Sequence, residues 1–259
     1  MQKLAMPLEI PITAASGPTT IELDWDSRHL GQRVGRIDAQ QSSDLAIADS
    51  LAQAQQQGYR LVYLSTAADH LLPAELLQQF GGELVDRKVT FSRILSATET
   101  CAALPLTPWR ITSYTEPAAS TQMIALAVAA GEYSRFGADR IYPRDRFIEM
   151  YRLWVERSVR RELAADVLVA TRDGNEPAGM ITLAIDQNCG VIGLIAVDAQ
   201  YRGQGIGRLL MQAATTWMVG RQLSTAKVTT QLNNHGACQL YLRSGYEQFS
   251  LQNMYHFWL

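Results

Sequence analysis

Hydrophobic and polar positions along this chain change period repeatedly, and the changes outline its elements. Residues 19–25 (TTIELDW) and 33–39 (RVGRIDA) show partial period-two alternation on either side of SRHLGQ, which predicts a hairpin-like pair of strands with a longer turn. Residues 42–58 switch to helical spacing: Ser43 stands as a cap, Leu45, Ala48, Leu51 and Ala52 fall on one face, and Gly58 supplies the stop. YRLVYLST has strand composition, PAELLQQF opens on a proline and closes on Gly81 and Gly82, and ELVDRKVTFSRIL is a second extended run. The period lapses in SATETCAALPLTP, residues 96–108, so a domain boundary is expected there. It separates a smaller α/β domain, residues 1–105, from a second domain, residues 106–259.

The second part starts with the strand WRITSYT, then a helix over about 120–130 and a polar, aromatic segment, EYSRFGADRIYPRD. A long amphipathic helix follows, with Phe147, Ile148, Tyr151, Trp154, Val155 and Val159 stepping by three and four. DVLVATRD, PAGMITLAID and CGVIGLIAVD are three strands separated by turn signals, as in an antiparallel meander. Residues 205–219 return to helical spacing, AKVTTQL is a strand, NHGACQLYLRS a short helix ended by Gly245, and YEQFSLQNMYHFWL a last extended run. The helix, glycine, strand rhythm of LLQQFGGELVDRKVTF echoes that of LYLRSGYEQFSLQNM, which leaves a degenerate duplicated half open.

Composition adds exclusions. Apolar residues are 47% and charged residues 19%, too hydrophobic for a disordered chain. The net charge of −2 provides no single-sign field for nucleic acid, so no nucleic-acid partner is expected. No apolar run is long enough to span a bilayer, and the first 17 residues lack a signal-peptide core, so no membrane association and a cytoplasmic location are expected. Cys101, Cys189 and Cys238 are widely spaced without a CxxC pair, so neither a disulfide framework nor a metal site is expected.

The chemistry-bearing stretch is IAVDAQYRGQGIGRLLM. Gly203, Gly205 and Gly207 lie between an apolar strand and an amphipathic helix, flanked by Arg202 and Arg208. Glycines permit close backbone approach, and a helix N-terminus carries about half a positive charge, so the turn suits a pyrophosphate. A tight strand-to-helix turn with incidental glycines is the alternative. A dinucleotide fold would want GxGxxG with a later acid, and a P-loop a Gly-Lys-Ser/Thr ending; both are missing.

This segment resembles the pyrophosphate loop of the GCN5-related N-acetyltransferase (GNAT) superfamily: Arg202, two residues, Gly205, one residue, Gly207. A second stretch resembles that superfamily downstream: Asn234, two residues, Ala237, two residues, Leu240-Tyr241, three residues, Gly245-Tyr246. The resemblance covers about residues 109–259 and implies the GNAT fold, an α/β (α+β) arrangement around a mixed, mostly antiparallel sheet. It implies acetyl-CoA as cosubstrate in a V between strands ending near Val197 and running near Val228. The diphosphate would be held by amides of Arg202, Gly203, Gln204, Gly205, Ile206, Gly207 and Arg208, and the pantetheine arm by the strand residues Leu194, Ile195, Ala196 and Val197. Tyr241 takes the position that in many of these enzymes protonates the departing thiolate; a phenol of ordinary pKa about 10 can do this within hydrogen-bond reach. A core tyrosine is the alternative. Asn234 either bonds pantetheine or caps the short helix, and His235 is a loop residue beside it. The general base is unassigned among Asp186, Glu132 and a water chain.

The segment Tyr133-Ser134-Arg135-Phe136, followed by Tyr142 and Trp154, and an N-terminal block with Trp25-Asp26, Gly31 and Gly35-Arg36, resemble the TDP-fucosamine N-acetyltransferase group. That resemblance implies a small-molecule acceptor, the 4-amino group of a dTDP-4-amino-4,6-dideoxyhexose, with Tyr133, Arg135 and Phe136 binding it. An arginine can pair with sugar-nucleotide phosphates and an aromatic can stack on a base or hexose, while a surface loop is the competing reading. Another small amine, a peptide N-terminus, or an acyl-CoA-binding module without turnover are the rival functions. The N-terminal domain then serves acceptor selection or oligomerisation, for instance as a homodimer.

Overall fold

The computed structural model describes residues 17–96, 108–174 and 176–259. The expected boundary at 105/106, Cys101 and the N-terminal 16 residues lie outside them. The chain divides into two compact units, one formed by residues up to Thr66, Leu72–Gly82 and Phe257–Leu259, the other by Ala67–Leu71 and Glu83–His256.

The first unit contains β1 (Ile21–Glu22), α1 (Asp24–Leu30), β2 (Val34–Asp38), α2 (Asp44–Gln56), β3 (Leu61–Ala67) and α3 (Ala74–Phe80). β1 runs antiparallel to β2, and β2 parallel to β3 with Val34 opposite Leu61. Most of the stretch expected as strand and turn is helix α1 instead. Asp24 and Asp26 lie in its first turn, Arg28 and His29 in its last, and Gly31 closes it at φ 67°. Charges matched to both ends of the helix dipole outweigh a weak alternation. α2 is capped as expected, Ser43 Oγ accepting from Ala46 N–H at 3.3 Å, but its buried face is Ile47, Ser50, Leu51 and Ala54, while Leu45 is 74% exposed. The alanine-rich sequence offers two adjacent stripes, and Ser50 can be buried because its hydroxyl donates to Ala46 O at 2.9 Å.

The second unit carries β4 (Gly82–Ile94), β5 (Arg110–Ser113), α4 (Thr121–Gly131), α5 (Arg135–Ala138), α6 (Arg144–Val159), β6 (Asp166–Thr171), β7 (Gly179–Asp186), β8 (Cys189–Val197), α7 (Ile206–Val219), β9 (Thr225–Gln231), α8 (His235–Arg243) and β10 (Glu247–Trp258). Its strands lie in the order β10-β4-β9-β8-β7-β6-β5. β5 to β8 form the antiparallel meander, β8 and β9 are parallel, and β9 and β4 antiparallel. The sheet is therefore mixed and mostly antiparallel.

Alternation along the strands sorts side chains between two helical layers. Ile181, Leu183, Val89, Phe91 and Val228 join one apolar cluster with Leu209, Leu210 and Trp217 of α7. Residues of opposite parity, such as Thr182 and Asp86, turn to the other face, where α4 packs on α6 and on β8. α3 and α8 each end in a left-handed glycine followed by a long strand, Gly81 at φ 63° and Gly245 at φ 79°. No helix among the described residues is long and apolar enough to cross a membrane.

Candidate active site

The site begins with a defect in β8. β7 and β8 keep simple register up to Leu183 opposite Ile192, then resume with Ile181 opposite Ile195, so β8 carries one extra residue. The bulge is held by Thr182, whose Oγ1 accepts the Leu194 N–H at 2.8 Å. A Cβ on Gly193 would lie 2.8 Å from that oxygen, so glycine is required there. The phase shift turns Gly190 and Ile192 toward α7 before the bulge, and Ile195 and Val197 after it.

At the same place β8 and β9 separate. They pair from Cys189 opposite Thr225 to Ile192 opposite Val228 and no further, while β9 continues along β4 to Gln231 opposite Lys88. A wedge opens between parallel strands, and the β8 edge from Gly193 onward is left without a strand partner on that side. Backbone groups there are free to bond an extended ligand.

Beyond β8 the chain turns through a short 3-10 segment, Ala199–Tyr201, into α7. Asp198 fixes the turn, accepting from Gln200 N–H at 3.0 Å and from Gln122 Nε2 at 2.6 Å, and Arg202 Nε donates to Val197 O at 3.2 Å. Gly203 and Gly205 have φ of 78° and 80°, a conformation only glycine adopts freely. Gly205 stands at the N-cap with no side-chain hydrogen bond to the helix, unlike Ser43, Ser120, Ser134 and Asn234 at the starts of other helices. The first amides of α7 therefore remain available to an anion.

Two clefts meet these features. One, of about 710 Å³, is lined by Val197, by residues 202–208 except Gln204, and by Arg243. The other, of about 430 Å³, takes in Leu194, Ile195, Asn234, Tyr241, Arg135, Phe136, Tyr151 and Trp154. The expected cofactor residues are thus shared between them. Ala196 pairs with Met180 in the sheet, and Ala196, Gln204 and Tyr133, the last 54% exposed, line neither cleft. Trp25 and Asp26 sit in α1, Gly31 at its end, and Gly35 and Arg36 in β2; none lines either cleft.

Tyr241 is 2% exposed on α8, its ring 5.7 Å from Phe91 and 6.3 Å from Tyr246. Burial pushes its pKa well above the ordinary phenol value, with Tyr246 and Cys238 adding to the shift, so it is protonated throughout the neutral range. Asn234 Oδ1 caps α8, accepting from Ala237 N–H at 3.2 Å, which leaves its amide nitrogen as a donor beside the cleft.

The Arg135–Phe136 segment is anchored from below. Ser134 caps α5 by accepting from Gly137 N–H at 3.3 Å, and Arg135 stacks on the Phe136 ring at 4.6 Å. Asp139 Oδ1 accepts from Ile141 and Tyr142 N–H, and its Oδ2 lies 2.6 Å from His256 Nδ1. Burial lowers the His256 pKa more than Asp139 raises it. The pair is accordingly a neutral imidazole donating Nδ1–H to a carboxylate rather than an ion pair, and it ties α5 to β10.

Neither side-chain candidate for the base lies in a cleft. Glu132 is engaged by Arg144 at 2.5 and 3.1 Å, and Asp186 is exposed at the β7–β8 hairpin, at the opposite end of β8 from the wedge. The carboxylate that does line the second cleft is Asp86, from β4, only 8% exposed. Burial pushes its pKa up to about 7, against the opposing pull of Arg135 and Lys88. The signal was present in VDRKVTF: with Val85, Val89 and Phe91 inward, period two puts Asp86, Lys88 and Thr90 together on the other face.

The wedge between parallel strands and the uncapped glycine turn at a helix start are the features that the resemblance to the GNAT fold implied. Residues 134–246 match the acetyltransferase (GNAT) family. It is 27% identical over 237 residues to dTDP-fucosamine acetyltransferase of Escherichia coli O6:H1, a match covering 91% of this chain and 95% of that protein. Among solved structures it is similar to a functionally unknown conserved protein from Staphylococcus epidermidis, with TM-score 0.64, 13% identity and coverage of 95% of this chain and 93% of that one. It is also similar to a GCN5-related N-acetyltransferase from Sphaerobacter thermophilus, with TM-score 0.55, 17% identity and coverage of 92% and 75%. These two likenesses concern the fold.

Proposed function

We propose that this chain transfers an acetyl group from acetyl-CoA to a sugar amine, the acceptor being the 4-amino group of a dTDP-4-amino-4,6-dideoxyhexose. The observation that carries the reading is the continuity along β8: the unpaired edge at the wedge leads from the glycine turn, with its free amides and Arg202, Arg208 and Arg243 on the rim, to the cleft that holds Tyr241. The relative of matching length acts on an amino sugar by its name, which supports the acceptor class.

The residues fit the cosubstrate. Left-handed Gly203 and Gly205 and the uncapped start of α7 suit a diphosphate, and the β8 edge past Ile192, unpaired on its β9 side, suits the amides of a pantetheine arm. Acetyl-CoA supplies the activated acyl group. In this reading the Leu194 and Ile195 region orients the thioester and polarises its carbonyl, Tyr241 gives its proton to the leaving sulfur, and Arg135 and Phe136 receive the acceptor. Gln204, Ala196 and Tyr133, which line neither cleft, are given no part in this reading.

The test is CoA release by the purified chain from acetyl-CoA with a dTDP-4-amino-4,6-dideoxyhexose, a polyamine, an aminoglycoside and a peptide N-terminus compared. Turnover with the nucleotide sugar is expected; turnover with another amine alone overturns the acceptor. Tyr241→Phe should lower kcat by on the order of a hundredfold while calorimetric CoA affinity stays within twofold. An unchanged kcat refutes the role of Tyr241.

A further inference from the structure

We propose that Asp86 is the general base of this site, taking the proton from the acceptor ammonium before the amine attacks. The inference rests on the acetyl-transfer reading above and adds a residue to it. Asp86 and Lys88 share the cleft-facing side of β4, and the cleft they line includes Leu194, where β8 leaves β9, and Tyr241. Asp86 is buried, and its carboxylate accepts from the Arg87 backbone N–H, with Arg135 and Lys88 as its cationic neighbours. The groups around it are Lys88 on its own strand, Arg135 on α5, Tyr151 on α6 and Tyr241 on α8. Two cations and two phenols leave Asp86 as the carboxylate of the cleft, and neither cation can accept a proton in the neutral range. Its raised pKa, about 7, is matched to a base working near neutrality.

The proton account closes. The ammonium gives one N–H proton to an Asp86 oxygen, and the freed nitrogen lone pair forms the C–N bond as the thioester C–S bond breaks. The Tyr241 phenol gives its proton to the departing sulfur, then regains one from the newly acylated nitrogen. Asp86 releases its proton to water, so one ammonium and one thioester become one amide, one thiol and one proton. An ammonium also meets a carboxylate here, so Asp86 binds what it deprotonates.

The experiment compares the wild-type chain with Asp86→Asn and Asp86→Glu, using acetyl-CoA and a dTDP-4-amino-4,6-dideoxyhexose across pH 5.5–9. Wild-type kcat/KM is expected to rise to a plateau through an apparent pKa near 7. Asp86→Asn should lose on the order of a hundredfold or more and the limb with it, and Asp86→Glu should recover part of both. Calorimetric acetyl-CoA affinity should be the same in all three. Carbon-13 NMR of the aspartate carboxyls should show a resonance titrating near 7 that Asp86→Asn removes. Asp86→Asn with wild-type kcat/KM and pH limb, or no carboxyl titrating near 7, overturns the role of Asp86 alone. A wild-type chain that releases no CoA with any amine overturns the underlying reading, whatever the NMR shows.

Discussion

Replacing Asp86 by asparagine should make the folded protein more stable at neutral pH, by an amount that grows with pH. The carboxyl has an ordinary pKa of 3.8 and is pushed to about 7 in the folded chain. Between these values the folded state holds the proton and the unfolded state does not, so wild-type stability falls as pH rises through the window. Below pH 4 the penalty is absent, and above pH 7 it is fully present. A shift of about three units at 1.36 kcal/mol each is about 4 kcal/mol. Asparagine does not titrate, so the stability of Asp86→Asn relative to wild type should increase by up to about 4 kcal/mol from pH 4 to pH 8. For a chain of this size that is a relative shift in Tm on the order of 10 °C. His256 acts in the opposite direction, but it is present in both proteins and cancels in the difference. Urea unfolding of both chains at pH 4.5, 6 and 8 measures it. A stability difference that does not change with pH would refute the claim that burial strains this carboxylate. The expected result joins stability gained to activity lost, the pattern of a group retained for its chemistry.

Three further outcomes follow from the geometry. Thr182→Val keeps shape but removes the acceptor for the buried Leu194 N–H; it should cost about 1–3 kcal/mol and raise the KM for acetyl-CoA, both read from unfolding and initial rates. Gly205→Ala places a side chain at φ 80° with open space around it, so it should cost about 1–2 kcal/mol, and CoA affinity by calorimetry should fall with it. His256→Gln should flatten the acid side of the stability curve: burial lowers the folded His256 pKa, so wild-type stability is present above the unfolded value of about 6.5 and declines as pH falls below it. An unfolding series from pH 7 to pH 5 that slopes equally in both proteins would argue against a buried neutral imidazole.

Much of the element order could be read from the chain because it depends on local chemistry. Ser43, Ser120 and Asn234 cap the helices they precede, Gly81 and Gly245 end the helices they follow, and the three meander strands alternate as antiparallel strands do. The glycine turn was legible for the same reason, since a left-handed backbone before a helix needs glycine whatever surrounds it. Where local signals compete, they mislead. Residues 24–30 alternate weakly yet form α1, and α2 buries the stripe next to the expected one because its partners in the fold choose between two alanine-rich faces.

The wedge, its bulge and its base belong to the tertiary structure. Thr182 and Leu194 are brought together by the β7–β8 register, and the opening exists because β9 follows β4 instead of β8 past Val228. Asp86 is far from Tyr241 in the chain and lay in a block read as a separate domain; the pairing of β4 with β9 brings it to the same cleft. Its raised pKa likewise comes from removal from water in the folded chain. Sequence determines backbone preferences within a few residues, but a proton acceptor is made by burial and by neighbours from other strands, and only the folded sheet supplies both.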